Sequence, residues 1–332
     1  MFDSQHYLPA SVLARITDLR VSDPLFSQRA AATRVRRATL APNGRLNILA
    51  ADHPARRVTR AGGDAFAMAG RHNYLARIVR VLTGDLVDGV MATMDILEDL
   101  LTLNELVRRA GGVPPVDGKL LIGSLNRGGL AGVTWEMDDP LTGPTPATCA
   151  AWRLDGTKLL LRIADDEPGS LKTMMMSAQA ITEANRLGLP TFLEPLPARR
   201  NDGGFAMVKT AEALAPVVGV ASALGDSSQR LWLKLPYCED YAKVAGATTC
   251  PILLLGGETK GDPAPFLRQV SESLQAAPNV RGALVGRNVL FPSGGDPLAV
   301  AQAVGGIIHR GWPLEEALAA LATTRDATPL LG

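Results

Sequence analysis

Cysteine, histidine and lysine are all scarce in this chain of 332 residues, and each shortage excludes something. The three cysteines, Cys149, Cys238 and Cys250, are odd in number and lack metal-ligand spacing. A disulfide framework is therefore not expected, and a reducing cytoplasm is the expected location. The four histidines, His6, His53, His72 and His309, form no H-x-H or H-E-x-x-H pattern, so no bound metal is expected. Charge of one sign is also lacking: 34 Lys and Arg face 33 Asp and Glu, which argues against nucleic acid or an anionic membrane as the partner. No apolar run approaches the ~20 residues of a membrane span. The opening MFDSQHYLPA lacks the basic-then-apolar pattern of a signal peptide, so none is expected. No G-x-G-x-x-G follows the first apolar run, and no cofactor is expected.

Lysine is the most informative shortage. Only Lys119, Lys158, Lys172, Lys209, Lys234, Lys243 and Lys260 occur, and every other basic residue is arginine. A chain that supplies ordinary positive charge as arginine, yet places lysine inside apolar segments, suggests a need for an amine that can lose its proton.

What is abundant is a rhythm. The first 40 residues read as a helical extension, with helical spacing from Leu8 to Leu19, and Arg29, Arg34, Arg36 and Arg37 read as a solvated face. From residue 46, short apolar runs alternate with amphipathic stretches. The strand candidates are 46–52, 87–92, 119–123, 157–163, 189–194, 231–236, 251–256 and 281–286. In 171–187, Leu171, Met174, Met175, Ala178, Ile181 and Ala184 read as one buried helical face, with the three methionines as core filler. Eight strands alternating with helices predict a (β/α)8 TIM barrel over 46–332, preceded by the helical extension 1–45; a doubly wound open sheet is the rival. Residues 124–146 form a long Gly- and Pro-rich loop, expected to be a lid or binding loop, with Arg127, Gly128-Gly129, Trp135 and Asp138-Asp139 in it.

In a barrel of this kind, chemistry sits at the C-terminal ends of the strands. The first run ends in Asp52-His53 and the fourth carries Lys158 and Arg162. The fifth ends in Glu194 and the sixth carries Lys234. The seventh ends in Gly256-Gly257 and the eighth in Gly286-Arg287-Asn288. Alternation places Lys234 with Trp232 opposite Leu231, Leu233 and Leu235, which turns Lys234 toward the barrel axis. Lys158, Leu160 and Arg162 share a face, as do Ile48, Ala50 and Asp52, so two amines and two carboxylates converge inside. A desolvated amine near a second cation is a nucleophile toward ketones. The same placement fits inward salt bridges from Lys158 and Lys234 to Asp52 and Glu194. Gly256, Gly257, Gly286 and Arg287 fall where barrels often hold a phosphate. His53 is a candidate substrate contact. His72 and His309 read as satisfied or surface residues and Cys238 as a packed thiol, while Tyr237 and Tyr241 could line the mouth or pack helices.

These residues resemble a known family. The segment from PILLLGGETKGDP to VRGALVGRNVLFP resembles the C-terminal third of the class I aldolases of the DhnA/tagatose-bisphosphate type, whose GG and GRN turns are used for phosphate. WLKLPY resembles the strand bearing their Schiff-base lysine, which would be Lys234, and TKLLLRI the strand whose lysine would be Lys158. PTFLEPL resembles the tagatose-bisphosphate branch, which makes Glu194 the acid/base, and AADHP places Asp52. The resemblance covers about residues 46–310. It departs after the fifth strand, where EPLPARRNDGG replaces a Y-P-R-G turn, so no tyrosine acid/base carries over. The first 40 residues and the loop 124–146 have no counterpart.

The chain looks most like an actinobacterial branch associated with inositol breakdown. What this implies is a metal-independent aldolase acting on a phosphorylated ketose or keto acid, such as 2-deoxy-5-keto-gluconate 6-phosphate. It would release dihydroxyacetone phosphate and an aldehyde. Lys234 would form the iminium, Glu194 or Asp52 would move the proton, and Lys158 would tune both. Gly257, Gly286 and Arg287 would hold phosphate, and Arg162, Arg127 or Arg199 would clamp a substrate carboxylate. The partner implied is a small-molecule sugar phosphate, and a homo-oligomer is expected. The alternatives are another Schiff-base barrel enzyme of transaldolase type and a non-catalytic sugar-phosphate-binding barrel.

Overall fold

The computed structural model describes residues 2–323 and 327–331. Eight apolar segments become parallel strands: β1 (Leu46–Ala51), β2 (Gly89–Ala92), β3 (Leu120–Ser124), β4 (Gly156–Ile163), β5 (Thr191–Asn201), β7 (Leu231–Pro236), β8 (Ile252–Leu255) and β9 (Val280–Val285). A short β6 (Gly204–Met207) returns antiparallel to the end of β5. The neighbour order runs β4-β3-β2-β1-β9-β8-β7-β5, and β4 also pairs with β5, which closes the cylinder. Helices follow most strands and cover the outside, so this is a (β/α)8 barrel.

Strand alternation sorts the side chains as expected. Leu231, Leu233 and Leu235 join Leu159, Leu161, Ile252 and Leu254 in the outer core beneath the helices. Ile48, Ala50, Met91, Ile122, Phe192, Leu253 and Leu284 form a separate inner cluster, with Trp232 packed against it. Both faces of each strand are thus buried, which is why the sequence reads as continuous apolar runs.

Three local expectations are corrected. The fifth strand does not end at Glu194 but continues to Asn201 and turns back as β6. Pro195 and Pro197 suggest a stop because they cannot donate a ladder hydrogen bond. They fall beyond Leu193, where pairing with β7 has ended, so that edge demands no donor there, while pairing with β4 runs on to Pro197.

The helix Gly169–Arg186 buries Ser170, Thr173, Ser177, Ala180, Ile181 and Ala184. Leu171 and Met175 are each 59% exposed, whereas Met174 and Met176 pack partly against the core. Polar contacts set this rotation. The Thr173 hydroxyl donates to the Met137 carbonyl at 2.8 Å, and the Ser170 hydroxyl oxygen accepts from the Ala164 N–H at 3.0 Å.

The third correction concerns the arginines after the N-terminal helices Ser4–Tyr7, Ala10–Ser22 and Phe26–Thr33. Arg29 is surface-paired with Asp23, but Arg34 is almost completely buried. Its guanidinium donates to Asp155 at 2.9 Å and to the carbonyls of Lys119 and Arg153. Arg36 also pairs with Asp155 at 2.8 Å, and Arg37 with Asp88 at 2.7 Å. This arginine run fastens the strap over the N-terminal end of the barrel rather than forming a solvated face.

Candidate active site

The inward residues of β1, β4, β5 and β7 converge at the C-terminal mouth. Asp52 directly follows β1, and its Oδ2 accepts from the Ser124 hydroxyl at 2.8 Å, from Lys158 Nζ at 3.3 Å and from the Arg127 guanidinium. Its Oδ1 is buried without a partner. Glu194 on β5 accepts from both amines on one oxygen, Oε2, with Lys158 and Lys234 each at 2.9 Å. The catalytic reading and the salt-bridge reading of these residues therefore describe one cluster.

The electrostatics follow from crowding. Burial would by itself raise the Glu194 carboxyl, but Lys158, Lys234 and Arg127 outweigh it and hold this group well below the carboxylate range. Burial lowers both amines. Arg127 adds to the effect at Lys158, and Glu194 works against it at Lys234. Both amines are shifted in the same direction, so access decides which of them can react. Lys158 has no exposed surface, whereas Lys234 lines a cavity of about 210 Å3 at the mouth.

The other side of this cavity is built from glycine turns. Gly257 adopts φ +64°, a conformation that favours glycine. A side chain at Gly286 would stand 2.4 Å from His53 Cε1 and 2.5 Å from the Ala50 carbonyl, so only glycine fits there. Asn288 donates to the Gly256 carbonyl at 2.6 Å and ties the two turns together. Arg287 lines the cavity with its nearest carboxylate, Glu258, 3.9 Å away, and its Nε has no partner. His53 also lines the cavity with Nδ1 unpartnered. Burial, then Arg287 and Lys234, pull its pKa well below 6.5, so the imidazole is neutral.

Arg162 lines the cavity, but its donors are taken: they reach the Glu136 carboxylate and the carbonyls of Glu136 and Gly129. Arg56, five residues after β1, donates to the same Glu136 carboxylate and to the Gly129 carbonyl at 2.8 Å. The loop after β3 is thereby held as a wall of the mouth, with Arg127 and Glu136 facing the cavity. Arg199 is exposed on the β5–β6 arm and lies apart from the cavity lining. Sequence reasoning missed Arg56, Glu136, Phe205 and Met207, all of which line the cavity. The available signals were a carboxylate among the loop glycines and an arginine just past Asp52.

Tyr241 is buried in the helical core and Tyr237 stacks on it, donating to Glu272, so both belong to helix packing. Cys238 is a buried free thiol, and His309 is satisfied by Asp88 at 2.8 Å. Among the described residues, no three His, Cys, Asp or Glu side chains are grouped to hold a metal ion, and no helix is long and apolar enough to cross a membrane.

Comparison with known proteins places this geometry in a family. The sequence profile described as Cgl0159-like matches residues 44–305. The crystal structure of Cgl0159 from Corynebacterium glutamicum is 33% identical, with a TM-score of 0.85 over 92% of this chain and 99% of that one. An uncharacterized aldolase of Saccharolobus solfataricus is 30% identical over 139 residues, 41% of this chain. That match spans just under half of the relative, 47% of its length. A fructose-bisphosphate aldolase from Slackia heliotrinireducens shares the fold, with a TM-score of 0.62, 16% identity and 98% of each chain covered.

Proposed function

The chain belongs to the Cgl0159-like family, and from that premise we propose that it is a class I aldolase that cleaves a phosphorylated ketone through a Schiff base on Lys234. The observation that carries this reading is the position of Lys234. Its amine lines the cavity, is lowered by burial and rests 2.9 Å from a carboxylate that can move a proton.

Unprotonated Lys234 Nζ adds to the ketone carbon, and the carbonyl oxygen takes a proton to give a carbinolamine. Loss of water leaves an iminium. Glu194 then accepts the proton of the hydroxyl on the carbon that leaves as the aldehyde, the far end of the bond that breaks. The O–H electrons form the aldehyde C=O, and the carbon–carbon pair moves into the iminium as an enamine. Protonation of the enamine carbon and addition of water release the ketone product and restore the amine. Lys158, behind Glu194, keeps that carboxylate ionised between turnovers and adds positive potential beside Lys234. Asp52, fixed by Ser124, Arg127 and Lys158, holds Lys158 in place.

Charge supports an anionic substrate. Arg56, Arg127, Arg162, Lys234 and Arg287 line the cavity against the carboxylates Asp52, Glu136 and Glu194. The glycine turns and Arg287 are suited to a phosphate, since backbone N–H groups and a guanidinium both match its oxygens. On this reading the ketone product is dihydroxyacetone phosphate. 2-Deoxy-5-keto-gluconate 6-phosphate is a candidate substrate, which would give malonate semialdehyde as the other product. The similarity to a relative named as an aldolase points the same way.

Borohydride reduction in the presence of dihydroxyacetone phosphate tests this. A stable covalent adduct is expected at Lys234 by peptide mass spectrometry, and none is expected in Lys234→Arg, whose guanidinium does not deprotonate. Full activity of Lys234→Arg, with no trapped adduct in the native protein, would overturn the mechanism. Activity is expected to survive EDTA.

A further inference from the structure

The arm formed by β5 and β6 occupies the place where the family resemblance breaks down, and the chemistry above leaves it unused. It continues β5 beyond the barrel and folds back with Ala198 opposite Met207 and Asn201 opposite Gly204. Phe205 and Met207 turn into the cavity. Met207 packs on the Leu160, Leu196 and Leu255 cluster, and Phe205 packs on Met137, Ala164 and Ala198. At the turn end of the arm, Gly204 lies close to Glu136: a side chain there would come within 3.3 Å of its carboxylate.

Two residues after β6 comes Lys209. Its ammonium reaches the glycine turn after β8, only 3.7 Å from where a Cβ of Gly257 would stand. In the barrel order β7 lies between β5 and β8, so a side chain running from the β5–β6 arm to the β8 turn crosses the strand that carries Lys234. Lys209 is exposed and makes no hydrogen bond or ion pair with the described residues. Arg287 borders the same turn from β9, and its Nε is likewise without a partner. Two cations on separate elements thus flank one glycine turn: Lys209 has no ion pair with the described residues, and Arg287 has only Glu258, at 3.9 Å.

We propose that Lys209 is a phosphate-binding residue, which the β5–β6 arm brings across Lys234 to meet the substrate phosphate from the side opposite Arg287. The proposal deepens the aldolase reading and rests on it for the placement of the substrate. The arm then does two things at once. Its apolar residues cover the reacting carbons and limit water, and its lysine selects phosphorylated ketones over their unphosphorylated counterparts. A lysine suits this place because a flexible point charge can follow the phosphate as it settles, whereas the rigid fork of arginine is already supplied by Arg287.

The test separates this inference from the one beneath it. Binding of inorganic phosphate to the full chain is measured by calorimetry for the native protein, Lys209→Met and Lys209→Arg, with no ketone present. Loss of one charge-assisted contact at an open site predicts about 10-fold weaker phosphate binding in Lys209→Met, with most of it restored in Lys209→Arg. The dihydroxyacetone phosphate concentration for half-maximal borohydride trapping should rise by a similar factor in Lys209→Met. Trapping of unphosphorylated dihydroxyacetone should not change. Unchanged phosphate binding in Lys209→Met would overturn the proposal. A loss that Lys209→Arg fails to restore would also overturn it, because the residue would then shape the arm instead of meeting the anion. An absence of any trapped ketone in the native protein would count against the Schiff base, while the phosphate titration would still decide the role of Lys209.

Discussion

The two ends of the barrel both bury carboxylates and cations, but they settle them differently. At the N-terminal end Asp155 uses both oxygens, Oδ1 for Arg36 and Oδ2 for Arg34 and the Leu121 N–H. Asp88 does the same, with Oδ1 toward Arg37 and Oδ2 toward the Asn47 N–H and His309. At the C-terminal mouth, Glu194 takes two amines on one oxygen, and Asp52 takes three donors on one oxygen while the other has no partner. His53 Nδ1, Arg127 Nε and Arg287 Nε are orphaned as well, whereas Arg34 at the other end leaves only its Nε. Buried polar groups are normally satisfied, and four residues with such an orphan, Asp52, His53, Arg127 and Arg287, line one cavity, which makes that end the candidate for a site. The lesson is that burial of charge alone does not separate a brace from a site; completeness of the partners does.

The sharpest way to break this contrast is at the two lysine-bearing strands. Lys234→Met is expected to lower kcat by roughly 10^3-fold or more with only a modest fall in Tm, because Glu194 keeps Lys158 on the same oxygen. A large drop in Tm would place Lys234 among the braces. Glu194→Gln should lower kcat by about 10^2- to 10^4-fold, with a smaller change in KM, as expected for loss of a general acid/base. An unchanged kcat would move that role to another group.

The opposite end should respond in stability instead. Arg34→Met leaves Asp155 buried with one fewer cation, and unfolding should become easier by about 3 kcal/mol, read as a fall in Tm. The rate of borohydride trapping, measured well below the new Tm, should not move. A slowed trapping rate would mean that the two ends are coupled through the strands.

The smallest effect is a pH dependence. His53 is neutral in the native protein, with a pKa well below 6.5, while the unfolded chain binds a proton there near 6.5. Above that pH the group contributes no difference between the two states. As pH falls below it, the unfolded state binds the extra proton and native stability drops, by at most about 1.4 kcal/mol per pH unit. His53→Gln should flatten the acid limb of a Tm-against-pH curve by that amount. An unaltered limb would mean that the native imidazole takes up its proton near the ordinary pH.

Much of this was legible in advance, and the reasons are specific. The alternation in LWLKLP assigns Lys234 to the interior because three leucines on the other face need a helical cover. The barrel was legible because apolar runs buried on both faces recur with amphipathic stretches between them. The loop after β3 was visible as a feature, but its inner contacts were not. Nothing in the spacing of Arg56, Glu136 and Arg162 tells that they meet, since they come from three separate parts of the chain. The face of the helix Gly169–Arg186 was not legible because its inward residues are small and polar, and their value lies in hydrogen bonds to the Ala164 backbone just before the helix and to Met137 in the loop after β3. The arginines at 34, 36 and 37 were misread for the same reason.

The order and kind of the elements, the inward turn of Asp52, Lys158, Glu194 and Lys234, and the glycine turns after β8 and β9 were properties of the sequence itself. They depend on local periodicity and on conformations that only certain residues adopt. Which cations are already neutralised and which remain available was decided by tertiary structure alone. An ion pair depends on distances between residues that can be more than a hundred positions apart, and those distances do not exist until the cylinder has closed.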